Sequence, residues 1–386
     1  MQAVVAALGW ICFALGCCGV AIAFATAALS RRRALPIGGA VRPAPAITLL
    51  KPLHGDEPAL EANLRSFLAQ DYGSPVQFVF GAHSDDDAAL IVVRKLLAEH
   101  PGTDATIIAD ARSRGANPKV SNLLNIVGAA RHDILVISDS DIGVPADYLT
   151  SIMAALDRPG VGAVTAPYIG RGTNGLWSCL VAMGISYWFL PNVLFGTALG
   201  VAKPCFGSTI ALKRSTLDAV GGFDAFKDHL ADDYEIGRAV RGLGLAVVLA
   251  PIAVRHSCGE KTLDALWRHE LRWLRTIGLV DPLGHLGSLV TFPLAWALGA
   301  AILQGFGSLS VALLVAALMA RSLIKWQIDV AFGARSGPLW LMPVRDILSF
   351  GLYIGSLFAT AVDWQGASYQ VKPDGIITTH DRTGNA

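Results

Sequence analysis

The sequence predicts an α/β domain held between membrane helices. Three observations carry that reading. Short apolar runs alternate with helical stretches between about Ala46 and Gly278. Long uncharged runs flank this region. Charged residues make up 16% of the 386 residues, against 53% hydrophobic. A water-soluble globular chain carries about 25% charged residues, so part of this chain belongs in lipid. The length suits about two ordinary domains. A net charge of +1 argues against a nucleic-acid partner, which needs a basic face. The six cysteines, Cys12, Cys17, Cys18, Cys179, Cys205 and Cys258, form no CxxC pair. They read as neither a disulfide framework nor a zinc site, and they suit a reducing compartment.

In chain order, Ala3 to Leu29 comes first, with 27 residues and no charge. A helix needs roughly 20 apolar residues to cross a bilayer. A secretory signal peptide would begin basic and carry a short apolar core. Here the start is uncharged and Arg31-Arg32-Arg33 come after the run, so residues 1–33 read as an uncleaved anchor. The positive-inside rule places the chain beyond Arg33 in the cytoplasm. Residues 34–45 read as a Pro/Gly/Ala linker. Within 46–278, Ala46–Leu50, Val76–Gly81, Ala105–Ala109 and Ile134–Ser138 read as buried strands. Glu61–Gln70, Ala88–Glu99 and Pro118–Ala130 read as the helices between them. This alternation implies a mostly parallel sheet with helices on both faces. Ligands of such sheets bind beyond the carboxyl ends of the strands. Neither GxGxxG nor GxxxxGK[ST] occurs, so no dinucleotide fingerprint or P-loop is present.

Three further apolar runs lie downstream. Leu176–Ala202 carries no charge, but Pro191 is expected to break it and Gly196 and Gly200 to loosen it; it reads as helices lying at the membrane surface. Leu286–Ala320 has 35 uncharged residues, about 52 Å as one helix against a core of roughly 30 Å. Gln304-Gly305-Phe306-Gly307-Ser308 breaks it into a hairpin. The next stretch, with Arg321, Lys325 and Arg335, reads as a cytoplasmic loop. Ile347–Val362 reads as a short span or a re-entrant segment, closing a membrane part over 286–363. Residues 364–386 read as a polar tail.

The chemistry centres on Asp139-Ser140-Asp141, directly after the strand-like Ile134–Ser138. Two carboxylates therefore emerge at the ligand edge of the sheet. A divalent cation prefers such hard oxygen donors and commonly bridges phosphates. It would offset the charge that develops on a leaving nucleotide diphosphate. The bland reading is a solvated loop with two acids. About 90 residues later, His229-Leu230-Ala231-Asp232-Asp233-Tyr234-Glu235 opens a helical stretch. Acids there can serve capping and the helix dipole, or Asp233 can be a general base for an acceptor hydroxyl. A base and a metal site in one pocket forbid a single membrane crossing by Leu176–Ala202. Trp267 to Arg275 reads as an amphipathic helix. Its Arg and Trp residues suit an interfacial anchor, or Arg272 a diphosphate and Trp273 the wall of a sugar pocket. His256 comes after a strand-like run and reads as a structural residue ahead of a further metal ligand.

Taken together, Leu50-Lys51-Pro52-Leu53-His54-Gly55, Gln70-Asp71-Tyr72, Ser84-Asp85-Asp86-Asp87, Asn117-Pro118-Lys119, Asp139-Ser140-Asp141, Gly221-Gly222-Phe223, Asp232-Asp233-Tyr234 and Arg272-Trp273 make a specific set. From about Leu50 to Thr276 the chain resembles the ceramide glucosyltransferases, glycosyltransferase family 21. The resemblance includes bacterial members and the related hopanoid-modifying transferases. It implies a GT-A fold, a Rossmann-like nucleotide-sugar-binding domain, and inverting transfer from a UDP-sugar to a lipid alcohol. It implies Mg or Mn as cofactor, bound by Asp139 and Asp141. It assigns the nucleotide sugar to Lys51, Asp87, Lys119, Asp139, Arg272 and Trp273, the base to Asp233, and acceptor preference to His269 and Asp232. With the apolar runs and the positive-inside reading, the chain is expected to be a multi-pass protein of a bacterial inner membrane, with its catalytic domain on the cytoplasmic face. Two departures stand out. His269 sits where the family has Gln or Arg, exchanging an amide or a fixed charge for a switchable imidazole. Asp141 sits where the animal enzymes have Gly, which favours a bound metal.

Two acceptors fit: ceramide receiving glucose, or a hydroxylated hopanoid receiving N-acetylglucosamine. A processive polysaccharide synthase is a competing reading, although such enzymes usually carry QxxRW and more pore-forming helices. A transporter or membrane scaffold with an acid-rich insert is another, and it predicts no catalytic carboxylate.

Overall fold

A computed structural model describes residues 1–33, 44–358, 362–364, 367–371 and 375–379. Most of the expected linker, residues 34–43, lies outside them. The chain divides into two compact bodies. Of the described residues, one comprises 44–168, 203–259, 362–364, 367–371 and 375–379; the other comprises 1–33, 169–202 and 260–358.

The first body is built on strands β1 (Ile47–Pro52), β2 (Val76–Ala82), β3 (Ala105–Ala109), β4 (Ile134–Ile137), β5 (Ile142–Gly143) and β6 (Val161–Thr165). The chain leaves it through β7 (Tyr168–Gly172) and returns to form β8 (Ile210–Lys213), β9 (Ala246–Leu249) and β10 (Val254–Cys258). Seven strands make one sheet in the order β3-β2-β1-β4-β8-β6-β9. Strands β3, β2, β1 and β4 are mutually parallel, as expected. The sheet is nonetheless mixed, because β8 runs antiparallel to both β4 and β6. That reversal matters for the site. Ile137 at the end of β4 pairs with Ile210 at the start of β8, so the loop before β8 arrives where Asp139 leaves the sheet.

Side chains alternate across each strand, and this sorts the core into two layers. Ile47, Leu49, Phe78, Phe80 and Val136 pack on one face with helices Leu60–Leu68 and Ala88–Glu99. Leu50, Val79, Leu135 and Ile137 pack on the other with helix Pro118–Ile126. Each fully buried aliphatic or Phe side chain contributes about 1.5–3 kcal/mol of transfer free energy. A sheet apolar on both sides explains why its strands read as unbroken apolar runs.

In the second body, helices Gln2–Arg33, Pro293–Leu303 and Ser308–Phe332 pack together. The expected hairpin forms, with its turn at Gln304–Gly307. Among the described residues, Gln2–Ser30, Gly175–Ala198 and Ser308–Phe332 are long and apolar enough to cross a membrane. Pro282–Thr291 and Pro293–Leu303, bent by 57°, add a fourth if the pair counts as one span.

Three expectations need correction. Pro191 does not break its run: Gly175–Ala198 is one helical stretch of 24 residues. A π turn at Ile185–Phe189 precedes Pro191, which falls in the first turn of the next α segment. The wider turn removes the clash that a proline makes with the carbonyl four residues back. Second, Arg321 and Lys325 are not in a loop. They are buried inside helix Ser308–Phe332, where Arg321 pairs with Asp346 and Lys325 with Asp329. Paired and buried, these charges carry no topological information. Third, Ile347–Val362 is displaced. The helix runs Met342–Ser356 and contains buried Arg345 and Asp346. Its 15 residues reach about 22 Å.

The polar tail also gains structure. Strands β11 (Val362–Trp364), β12 (Ala367–Val371) and β13 (Ile377–Thr379) pair antiparallel in sequence order. Ile377 is buried and donates its N–H to Asp228 O at 2.9 Å, and Leu230 N–H donates to Gly375 O at 3.0 Å.

Candidate active site

Asp139 leaves β4 onto a loop that is pinned from three sides. Beneath it, Lys51 of β1 is fully buried, its ammonium 3.6 Å from the centre of the Phe67 ring. Lys51 Nζ donates to the Asp139 carbonyl at 2.7 Å and to Ser138 Oγ at 3.3 Å. Burial pushes its pKa down to about 7, while Asp139 and Asp141 oppose the fall. Lys51, expected to contact the nucleotide sugar, thus reaches the Asp139 loop from inside the sheet. From one side, Asn63 Nδ2 donates to Ser140 O at 3.3 Å. From another, Ser257 N–H donates to Asp141 O at 2.9 Å.

The carboxylates have distinct partners. Lys119 Nζ lies 2.6 Å from Asp139 Oδ1 and 3.6 Å from Asp232 Oδ2. It sits in the first turn of helix Pro118–Ile126, whose N-cap Asn117 accepts from Val120 N–H and donates to His229 O and Asp232 Oδ1. Burial opposes the Lys119 charge, but Asp139, Asp232 and Asp233 outweigh it and hold its pKa above the ordinary lysine value. Burial raises the pKa of Asp139, with Lys119 opposing the rise and Asp141 adding to it. Asp141 Oδ2 lies 3.1 Å from His256 Nε2 on β10. Burial opposes a charge on that imidazole, yet Asp141 raises its pKa well above normal. His256 and Asp141 thus form a close pair at the edge of the site.

Asp233 lies in the first turn of helix Asp232–Gly242. Its Oδ2 accepts from Gly207 N–H and its Oδ1 from Tyr234 N–H, both at 2.7 Å. Burial, then neighbouring Asp232, push its pKa up to about 6, against Lys119 and the two N–H donors. Gly207 is the residue that sequence reading missed. A Cβ there would fall 2.5 Å from Lys119 Nζ and 2.7 Å from Asp139 Oδ2. Its N–H holds Asp233, and its carbonyl accepts from Asp139 N–H at 3.3 Å. Gly207 thereby ties the two halves of the site together. The only signal in sequence was a glycine just ahead of a strand.

Asp87 stands apart from this cluster. It caps helix Ala88–Glu99, accepting from Ala89 N–H at 2.9 Å and from Gly55 N–H at 2.9 Å. His269, Arg272 and Trp273 belong to the other body, on helix Leu263–Val280. There the His269 imidazole pairs with Glu260 and meets the Trp273 ring edge-on, with centroids 4.6 Å apart. The structure thus unites Lys51, Lys119, Asp139, Asp141, Asp232, Asp233 and His256 in one body. His269, Arg272 and Trp273 are grouped in the second.

Comparison with known proteins bears on what this cluster serves. The model of "Glycosyl transferase family 21" matches residues 10–377. The chain belongs to that family. As a member of glycosyl transferase family 21, it is a glycosyltransferase. It is 26% identical over 351 residues to Ceramide glucosyltransferase 1 of Caenorhabditis elegans, covering 87% of this chain and 73% of that protein. With Ceramide glucosyltransferase 3 of the same organism it shares 26% identity over 257 residues, 62% of this chain and 53% of the relative. An N-acetylglucosaminyltransferase of Bradyrhizobium diazoefficiens is 22% identical over 243 residues, 60% of this chain and 49% of the relative. Among solved structures, the mannosyltransferase PcManGT from Pyrobaculum calidifontis, in complex with GDP-Man and Mn2+, aligns with a TM-score of 0.47. That alignment has 22% identity and covers 87% of this chain and 98% of the other.

Proposed function

We propose that this glycosyltransferase moves a sugar, with inversion, from a UDP-sugar to a lipid alcohol at the cytoplasmic face of a bacterial inner membrane. The observation that carries this reading is the Asp233 carboxylate, raised to about 6 and held by Gly207 beside the Lys119–Asp139 pair. A base must be ionised at working pH yet still basic enough to take a proton, and a pKa near neutrality meets both needs. Asp233 would accept the proton of the acceptor hydroxyl. The new bond would form on the sugar face opposite the leaving diphosphate.

The donor set fits a divalent cation. Asp139 and Asp141 offer hard carboxylate oxygens from one short loop, and the remaining ligands would come from phosphate and water. Among the described residues, no group of three or more His, Cys, Asp or Glu side chains is arranged to hold an ion on its own. Mg or Mn held by Asp139 and Asp141 would neutralise charge on the leaving diphosphate. Lys119 would add a fixed positive charge beside it, and His256 would keep Asp141 in position. Asp87 and Gly55, close together at the carboxyl ends of β1 and β2, are the proposed contact to the nucleotide. Arg272 and Trp273 are the proposed contacts to diphosphate and sugar. His269 and Asp232 are the proposed determinants of acceptor preference.

Ceramide receiving glucose is the first reading of the acceptor, supported by the span of similarity to Ceramide glucosyltransferase 1. N-acetylglucosamine transfer to a hydroxylated hopanoid is the second, favoured by the Bradyrhizobium relative's named sugar. The test incubates membranes carrying the protein with labelled UDP-glucose or UDP-N-acetylglucosamine and each lipid, with lipid mass spectrometry as the readout. One pair should give a glycolipid, and Asp233→Asn should abolish it while leaving UDP binding intact. Failure of every UDP-sugar to label any lipid would sink the transferase-to-lipid reading.

A further inference from the structure

Among the described residues, four of the charged side chains buried in the second body follow one another from helix to helix, outside the cluster around Asp139. Arg345 is 2% exposed and its guanidinium forks onto Glu270, with Nη1 donating to Oε1 at 2.8 Å and Nη2 to Oε2. Glu270 is 9% exposed. The next residue, Asp346, accepts from Arg321 Nε and Nη2, both at 2.7 Å. Charges of alternating sign therefore run Glu270–Arg345–Asp346–Arg321. They link helix Leu263–Val280 through helix Met342–Ser356 to helix Ser308–Phe332. Gly184 completes the arrangement, because a Cβ there would collide with the Arg345 guanidinium.

This chain of charges is an unusual way to stabilise helices. Removing ions from water costs several kcal/mol each, and apolar residues of similar volume often do as well or better. What forked pairs supply is geometry, since a guanidinium and a carboxylate meet in one plane at two points. Glu270 sits between His269 and Arg272–Trp273. On a helix of 3.6 residues per turn, Glu270 shares the buried face of Leu266 and Leu274. His269, Trp273 and Thr276, at steps of three and four, form the adjoining stripe. Fixing Glu270 therefore fixes the roll of the helix and the aim of that stripe.

We propose that Arg345, backed by Asp346 and Arg321, is a positioning residue for sugar transfer. It sets the rotation of helix Leu263–Val280 by holding Glu270. The proposal rests on the reading that Arg272 and Trp273 serve the reaction. A displacement of about 1 Å of a positioned group can cost about 100-fold in rate.

The test replaces the inner pair by apolar residues in the full-length, detergent-solubilised protein, as Glu270→Met with Arg345→Met. The double variant should melt within a few degrees of the parent and bind UDP more weakly, because Arg272 shifts with the helix. Its kcat should fall about 10- to 100-fold. A kcat within twofold of the parent overturns the proposal. If the double variant does not fold, Arg345→Lys decides the matter, since it keeps the charge and loses the fork. That variant should retain parental melting and lose at least about fivefold in kcat; unchanged kcat overturns the proposal. Arg272→Ala, measured alongside, separates the two claims. If Arg272→Ala transfers sugar at the parental rate, the assignment of the Arg272-Trp273 motif fails. If it is inactive while the Glu270/Arg345 variants keep parental kcat, only the positioning role fails.

Discussion

Asp233 is pulled in two directions. Burial and the adjacent Asp232 favour its neutral form, whereas Lys119 and the N–H groups of Gly207 and Tyr234 favour the carboxylate. The balance raises its pKa to about 6, and that fixes the sign of the pH effect. A base works only when ionised, so transfer should be lost as pH falls through about 6 and should level off above it. A pH–kcat/KM profile with its acid limb near 4 would remove Asp233 from that role. Asp232→Asn takes away a neighbouring negative charge, so it should move the limb to lower pH. Gly207 gives a steric prediction at the same scale. Gly207→Ala inserts a methyl between Lys119 Nζ and Asp139 Oδ2. Overpacking of this kind costs about 1–3 kcal/mol. Melting should drop by a few degrees and transfer by at least tenfold; parental kinetics would show that the loop has slack. The placement of Asp139 and Asp141 at the edge of the sheet was legible because they directly follow a buried strand. Gly207 was not, because its importance comes from two side chains distant in sequence that close on it.

At the scale of elements, apolar periodicity located the strands β1 to β4 and the helices between them to within a few residues. It did so because each faces apolar surroundings on a sheet covered on both sides. It could not reveal that β8 runs antiparallel, since strand direction leaves no mark on a four-residue apolar run. Charge was the less faithful guide. Arg321, Lys325, Arg345 and Asp346 looked like loop residues or span boundaries, but buried partners absorb their charges. The segment around Ile377 was equally hidden among polar residues. Its N–H and the Gly375 carbonyl clasp Asp228 and Leu230, just before the Asp232–Asp233 turn. Ile377→Ala leaves a cavity where the side chain is 2% exposed, and Ile→Ala changes cost about 2–5 kcal/mol in a core. Hydrogen exchange at Leu230 should accelerate in that variant and kcat should fall. Unchanged exchange there would show that the clasp carries no load.

For the whole molecule, the proposed division of labour concerns where the cation site resides. The acidic cluster, its lysines and its histidine all lie in the sheet body, whose core is that of an α/β domain. The long apolar helices lie in the other body. Donor and cation binding should therefore depend on Asp139 and Asp141 and be independent of any lipid acceptor. A ligand that binds only the folded state stabilises by about 2.7 kcal/mol at 100 times its Kd. In detergent without acceptor lipid, UDP with Mn or Mg should raise Tm by several degrees. EDTA should cancel the shift and abolish transfer, and added Mn or Mg should restore both. In Asp139→Ala and Asp141→Ala the combined shift should disappear, although the parental fold is retained. Equal stabilisation by UDP in the presence of EDTA would mean that Lys119 and its neighbours hold the diphosphate unaided. Asp139 and Asp141 would then act through electrostatics around Lys119 and His256 alone.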